Sequence, residues 1–259
     1  GATIGVSKLE DIRSPRDVMA RASIAYQAAR QRGSGTVAFY STEIQNKIME
    51  AQGIIASFLP ALEAHEFVVY YQPKVDVNSN KICGAEALVR WMHEGRLIPP
   101  MQFIPQLERE GSVCRLDYYV LDETCRFIRK RLDEGKKVPC ISVNFSRRHL
   151  EEDYLVKKIV NVIDKYGIDH SYIEIELTES EDFQNYEIMS EIVDGLRSEG
   201  IATSIDDFGT GYSSLNMIKK VDLNVIKIDK SFIPMETEYP GKETDMVMFV
   251  SIVDLVRKL

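Results

Sequence analysis

From Phe67 onward, apolar and polar positions alternate with a period of two over short stretches, and longer stretches with helical spacing lie between them. The alternation predicts strands over Val68–Val77, Ile82–Trp91, Cys140–Ser146, Tyr172–Glu179, Ala202–Asp207 and Val225–Phe232. The helical spacing predicts amphipathic helices over Cys114–Leu132, Leu150–Tyr166 and Tyr186–Ser198. Each of these ends near a glycine (Gly135, Gly167, Gly200), as helix C-termini often do. Strand–helix alternation implies an α/β domain with parallel strands and helical crossovers. The first pair differs: a polar turn around Asn78 and Asn80 joins its two strands as a hairpin, so the first strand runs antiparallel.

The chain before Phe67 follows a different pattern. Gly1–Ser7 and Thr36–Tyr40 read as short strands around the alanine-rich helix Ala20–Arg32, which Ser14-Pro15 initiates. A further helix over Thr42–Leu62 leads into the main domain. The expected division is therefore 1–40, a linker helix over 41–64, and a domain from 65 to 259. Thr244–Leu259 predicts a last helix with Met246, Val250 and Val253 on its apolar side. It stops without a glycine or a following strand, which leads to the expectation that the terminal part of the domain is missing from this chain.

Composition narrows the picture only moderately. The 259 residues are 44% hydrophobic and 28% charged, ordinary for a soluble globular protein. The net charge of −8 argues against a surface for DNA or RNA duplexes or for anionic membranes. An anionic ligand would need local help from Arg, Lys or a bound metal. No stretch approaches a membrane span, no signal-peptide pattern opens the chain, and the four cysteines form no CxxC pair. Buried, reduced thiols in a cytoplasmic protein are the expectation.

Sorting each strand into its two faces brings in the chemistry. Glu86 and Arg90 share one face of their strand; Ser142 and Asn144 oppose Ile141, Val143 and Phe145; Glu174 and Glu176 oppose Ile173, Ile175 and Leu177. Asp206 shares a face with Ser204, and Lys227 with Asp229. Such a face can line an antiparallel sheet open to water. Its repetition late in successive strands of an α/β pattern instead favours convergence at the strand C-terminal ends of a barrel. The carboxylates of Glu86, Glu176 and Asp206 would then repel unless a hard cation such as Mg²⁺ or Mn²⁺ lay among their oxygens and that of Asn144. Asp207, where the strand gives way to loop, could hold a second cation, as in sites that hydrolyse phosphodiesters. Lys227 could orient water or offset charge on the phosphate.

These residues, with Tyr71-Gln-Pro73, Glu86-Ala-Leu-Val-Arg-Trp91, Phe103-Ile-Pro105, Val143-Asn-Phe-Ser146, Glu176-Leu-Thr-Glu179, Asp206-Asp-Phe-Gly-Thr-Gly-Tyr-Ser-Ser214 and Ile226-Lys-Ile-Asp-Lys-Ser-Phe232, resemble the EAL family of cyclic di-GMP phosphodiesterases. The resemblance implies a (β/α)₈-like barrel with an antiparallel first strand, truncated here before its last two strands. It implies metal ligands Glu86, Asn144, Glu176 and Asp206, a second cation at Asp207 with Asp229 near it, and Lys227 on the catalytic water. Gln72 and Arg90 would contact the ligand, and Glu179 would brace the loop after Asp207, through which the family often dimerises. The reaction implied is hydrolysis of cyclic di-GMP to linear pGpG, with two Mg²⁺ or Mn²⁺ ions per site. Ala2–Ser7, Ala22–Ala25 and the alanine-rich helix resemble the end of a GGDEF domain, degenerate at Ser23, which places further GGDEF and sensory sequence upstream in the parent chain. The family's Ala-Glu-Gly-Val-Glu and Gln-Gly-Tyr segments do not occur, so this piece alone is expected to be inactive. The alternatives are a cyclic di-GMP receptor that does not hydrolyse its ligand, and a module whose output is dimerisation or partner binding.

Overall fold

The computed structural model describes residues 1–9, 14–178, 186–208, 220–233 and 242–258. They group into two units: Gly1–Glu66 with His93–Leu107, and Phe67–Met92 with Glu108–Leu259.

In the first unit, β1 (Ile4–Val6) is followed by α1 (Pro15–Gln31) and then by β2 (Val37–Phe39), which pairs with β1 in parallel. Ser14 caps α1 by accepting the Asp17 N–H at 3.2 Å, and Pro15 occupies a first-turn position where its missing N–H costs nothing. Gly5 is obligatory here: a Cβ would lie 2.2 Å from the Tyr26 nitrogen of α1. Ser41 caps α2 (Thr42–Glu63) in the same way, accepting the Ile44 N–H. Ala28, Ala29, Ala38 and Ile48 form a small core with Ile24 and Ile44 around it.

In the second unit, β3 (Phe67–Asp76) and β4 (Lys81–His93) form the expected antiparallel hairpin, its turn tied by Asp76 accepting the Ser79 N–H at 2.7 Å. The chain then passes through β5 (Arg96–Ile98) and α3 (Pro100–Glu110), which up to Leu107 belong to the first unit. Neither was anticipated, although Pro99-Pro100 is a helix-start signal. Next come α4 (Val113–Asp133), β6 (Cys140–Phe145), α5 (Leu155–Asp164), β7 (Ile173–Thr178), α6 (Tyr186–Ser198), β8 (Ala202–Phe208), β9 (Val225–Ile228) and α7 (Lys242–Lys258). The strands hydrogen-bond in the order β3-β4-β6-β7-β8-β9, with every pair after the first parallel.

Two ion pairs act as rulers for the curvature of this sheet. In a flat sheet, four strand steps would separate β4 from β9 by roughly 19 Å, beyond the combined reach of a lysine and a glutamate. Yet Lys227 Nζ on β9 lies 3.1 Å from Glu86 Oε2 on β4. Lys74 on β3 likewise reaches Glu174 on β7 at 2.9 Å. The sheet therefore curls toward its polar face, as in a partial barrel. Gly84 leaves Lys74 its path, since a Cβ there would lie 3.2 Å from Cys140 O and 3.4 Å from Lys74 Cδ.

The convex face carries the core. Ile141, Val143, Phe145, Ile173, Ile175, Leu177 and Ile205 are buried there. The helices contribute Leu116, Leu121 and Ile128 from α4, Ile159 and Ile163 from α5, and Met189, Val193 and Leu196 from α6. Each such side chain contributes about 1.5–3 kcal/mol relative to exposure. Tyr71 stacks on Phe127 with centroids 4.3 Å apart, fixing β3 to α4.

Several expectations are corrected. The helix foreseen from Leu150 starts at Leu155, because Ser146 caps a 3-10 turn over Arg147–Glu151 and Tyr154 adopts a left-handed backbone with φ 62°. The strand foreseen to Phe232 stops at Ile228, because Asp229 accepts the Ser231 N–H at 2.8 Å and turns the chain. Of the four free cysteines only Cys125 is buried; Cys83 is exposed and Cys114 and Cys140 are half-buried. Helix α7 leaves Met246 and Val250 exposed. Among the described residues, no helix is long and apolar enough to cross a membrane.

Candidate active site

The site grows out of strand register. Gln72 on β3 sits directly opposite Glu86 on β4, so both point to the concave face. Asn144 on β6 is in register with Glu176 on β7, and Asp206 on β8 with Thr178. Asn144 lies one residue from the end of β6, and Lys227 is the third residue of the short β9, so these groups gather toward the carboxyl ends of the parallel strands.

Lys227 is the hub of the cluster. Its Nζ bonds to Glu176 Oε1 and lies 3.1 Å from Glu86 Oε2 and 3.3 Å from Asp206 Oδ1. Asn144 Nδ2 donates to Glu86 Oε1 at 3.1 Å, which leaves its amide oxygen as a donor atom for a cation. Three carboxylates thus face one ammonium. Burial pushes the Glu176 carboxyl up, and the negative charges of Glu86 and Asp206 add to this, so its pKa rises to about 7 against the pull of the Lys227 bond. Burial pulls Lys227 down, but the bond to Glu176 and the charges of Glu176 and Glu86 outweigh it and hold the ammonium above its usual range.

Glu176 is fully buried, and its Oε2 has no hydrogen-bond partner among the described residues. An orphan carboxylate oxygen in such a place is costly. Together with Glu86, Asp206 and the Asn144 amide oxygen it forms a hard, oxygen-only donor set, which suits Mg²⁺ or Mn²⁺ and offers nothing soft for zinc.

Not every predicted residue joins this cluster. Arg90, on the same face as Glu86, holds its guanidinium over the Tyr70 ring at 6.0 Å and donates to Val89 O at 2.8 Å. Gln72 is exposed on that face. Asp229 caps the turn after β9 with one carboxylate oxygen. The side chain of Asp207, all of Glu179, and the loop at 209–219 lie outside the described residues.

Two further features line the concave face. Tyr70 is 56% exposed, two residues before Gln72 and therefore on the same face; that spacing was the available signal. One layer nearer the strand N-termini, buried Glu174 is held by Lys74 at 2.9 Å and by Ser204 Oγ at 2.8 Å. Lys74 stands two residues after Gln72, so the same period pointed to it.

A family model described as EAL domain matches residues 55–259. The bifunctional diguanylate cyclase/cyclic di-GMP phosphodiesterase MucR of Pseudomonas aeruginosa is 33% identical over 260 residues, covering 100% of this chain and 38% of its own length. The signaling protein YkoW of Bacillus subtilis is 34% identical over 237 residues, 89% of this chain and 30% of its own length. The chain spans about a third of the length of these curated relatives. A solved structure of the PaMucR phosphodiesterase in complex with c-di-GMP aligns with a TM-score of 0.72 at 35% identity, covering 80% of this chain and 83% of that one.

Proposed function

The chain belongs to the EAL-domain family, and we propose that it is the catalytic part of a metal-dependent phosphodiesterase that hydrolyses cyclic di-GMP to linear pGpG. The observation that carries this reading is the meeting of Glu86, Asn144, Glu176, Asp206 and Lys227 from five strands around a buried, unpartnered carboxylate oxygen. The cyclic di-GMP held by a relative 35% identical to this chain supports the choice of substrate.

In this reading Glu86, Asn144, Glu176 and Asp206 hold one Mg²⁺ or Mn²⁺, and Asp207 with Asp229 serves a second. When bound, such cations neutralise phosphate charge and acidify water. The protein groups do the rest. Lys227, kept protonated by its three carboxylate neighbours, presents an ammonium that orients the attacking water and offsets charge building on the phosphate. Asn144 fixes the Glu86 carboxylate through its amide N–H. Gln72 and Arg90 bind the dinucleotide from the β3–β4 hairpin, and the exposed Tyr70 ring beneath Arg90 offers a flat face for a base.

The same proposal extends to the surroundings. Residues 1–40 are the end of a degenerate GGDEF domain and 41–64 a linker helix; the cyclase function in the name of MucR, which matches the whole chain, supports this. Glu179 braces the loop after Asp207, and that loop forms a homodimer contact. The reaction takes place in the cytoplasm, which the four unpaired cysteines support. The experiment is hydrolysis of cyclic di-GMP by the intact protein with Mg²⁺ or Mn²⁺, beside a binding titration. Release of pGpG is expected; tight binding without turnover in either metal overturns the enzyme and favours a receptor.

A further inference from the structure

A second cluster of metal-binding side chains lies off the concave face. Cys114, in the first turn of α4, meets His149 and Glu152 from the segment that follows β6. Their ligand atoms lie within 4.8 Å of one another.

His149 is fully buried. Its Nε2 lies 3.1 Å from Asp117 Oδ2, and the buried Asp117 also accepts the Ser146 N–H at 2.9 Å. A carboxylate on Nε2 favours the proton there and leaves Nδ1 with a free lone pair. Nδ1 sits 2.9 Å from Glu152 Oε1, yet it makes no hydrogen bond with any described residue. Two lone-pair atoms that close repel unless a proton or a metal cation lies between them. The other Glu152 oxygen is already held, by Lys158 Nζ at 2.7 Å and Tyr118 OH at 3.2 Å. Oε1 faces His149, and the Cys114 thiol also hydrogen-bonds to the Glu152 carboxylate.

We propose that Cys114, His149 and Glu152 form a structural binding site for a zinc-class divalent cation, separate from the carboxylate–lysine centre. Thiolate, imidazole and carboxylate together suit zinc and suit Mg²⁺ poorly. Zinc bonds of about 2.0–2.3 Å set tetrahedral ligands roughly 3.3–3.8 Å apart, so this trio needs only side-chain adjustment, with water in the fourth place. Asp117 behind His149 supplies the outer carboxylate that metal-binding histidines usually have. Without metal, burial pushes the Cys114 thiol up to about 12, and its hydrogen bond to Glu152 and the charges of Glu152 and Asp117 add to this. A bound cation reverses that local field, so binding converts the thiol to thiolate and releases one proton to solvent. The occupied site would join α4 to the segment after β6, two residues beyond Asn144.

The competing arrangement is a proton on Nδ1, making His149 an imidazolium between two carboxylates. Intact metal-free protein, saturated with Mg²⁺ to fill the oxygen-rich centre, is titrated with Co²⁺. One equivalent should produce a thiolate-to-cobalt charge-transfer band that Zn²⁺ abolishes. Cys114→Ser and Glu152→Gln should lose the band while keeping the wild-type circular dichroism; because both side chains are half-buried, these variants serve if His149→Gln fails to fold. Zn²⁺ should also slow alkylation of Cys114 at least about tenfold, with exposed Cys83 unaffected as the internal control. No band at several equivalents of Co²⁺, a band that survives Cys114→Ser, or unprotected Cys114 would each overturn the proposal in favour of the imidazolium.

Discussion

Two polar clusters in the second unit gather carboxylates around a nitrogen, and they were built in different ways. The concave cluster takes one residue from each of five strands and places an ammonium, Lys227, among Glu86, Glu176 and Asp206. The flanking cluster takes Cys114 and Asp117 from one helical turn and His149 and Glu152 from an irregular segment, with an imidazole at its centre. The first faces the space a substrate would fill. The second lies beside a helix, with its histidine fully enclosed. On the proposed reading, similar charge patterns would serve turnover in one place and cohesion in the other, and mutation would separate the two roles.

The largest expected effect is on turnover. Lys227→Ala or Glu86→Ala should lower hydrolysis at least a hundredfold or so, with circular dichroism unchanged. Glu176→Gln should abolish turnover without lowering the urea midpoint in metal-free buffer, because it removes one of three crowded charges. A fall in stability as large as the fall in activity would erase the contrast between the clusters.

Asp117→Asn should act the opposite way. It removes one partner of a buried pair and weakens the support of the Ser146 N–H, at a cost of about 3–5 kcal/mol in urea unfolding. Turnover per folded molecule should stay close to wild type. Between the extremes, Lys74→Met leaves Glu174 with Ser204 as its partner among the described residues and should cost about 1–3 kcal/mol, reading out the ion pair that spans the curl of the sheet.

The smallest effect marks the end of the scale. His170 bonds to Asp164 and to the Glu199 carbonyl, and the Asp164 bond, against a smaller cost of burial, raises its pKa in the folded state. A raised folded pKa means protonation favours folding. This contribution is complete below about pH 6.5 and is lost as pH rises through the higher folded value. Comparing the pH dependence of the unfolding midpoint in wild type and His170→Gln checks it; identical profiles would remove His170 from the stability account.

The concave cluster was legible because a strand repeats its face every two residues. Acids at Glu86, Glu176 and Asp206 and the amide at Asn144 declare a common side by their spacing along the chain alone. The same parity marked Tyr70 and Lys74, though neither was read. The flanking cluster was not legible. Cys114 and His149 are far apart in sequence, and the turn that carries His149 depends on the Ser146 cap and the left-handed Tyr154, neither of which leaves a periodic trace. The late start of α5 and the early end of β9 have the same origin: side chains bonding to nearby backbone override apolar spacing.

The two-sided sheet also bears on how such a domain changes over generations. Barrel interiors are ordinarily packed with branched apolar side chains, so a change there threatens the fold. Here the concave side carries Lys74, Ser142, Glu174, Glu176 and Ser204, while the apolar packing sits behind the strands. The polar residues of the concave face, which the proposed function assigns to turnover, are thus largely relieved of holding the chain together. If the proposed function holds, a single substitution at Lys227 or Glu176 would silence hydrolysis and leave a folded molecule still shaped for its nucleotide. On that reading, loss of catalysis in this architecture is a short mutational step that need not cost the protein its structure.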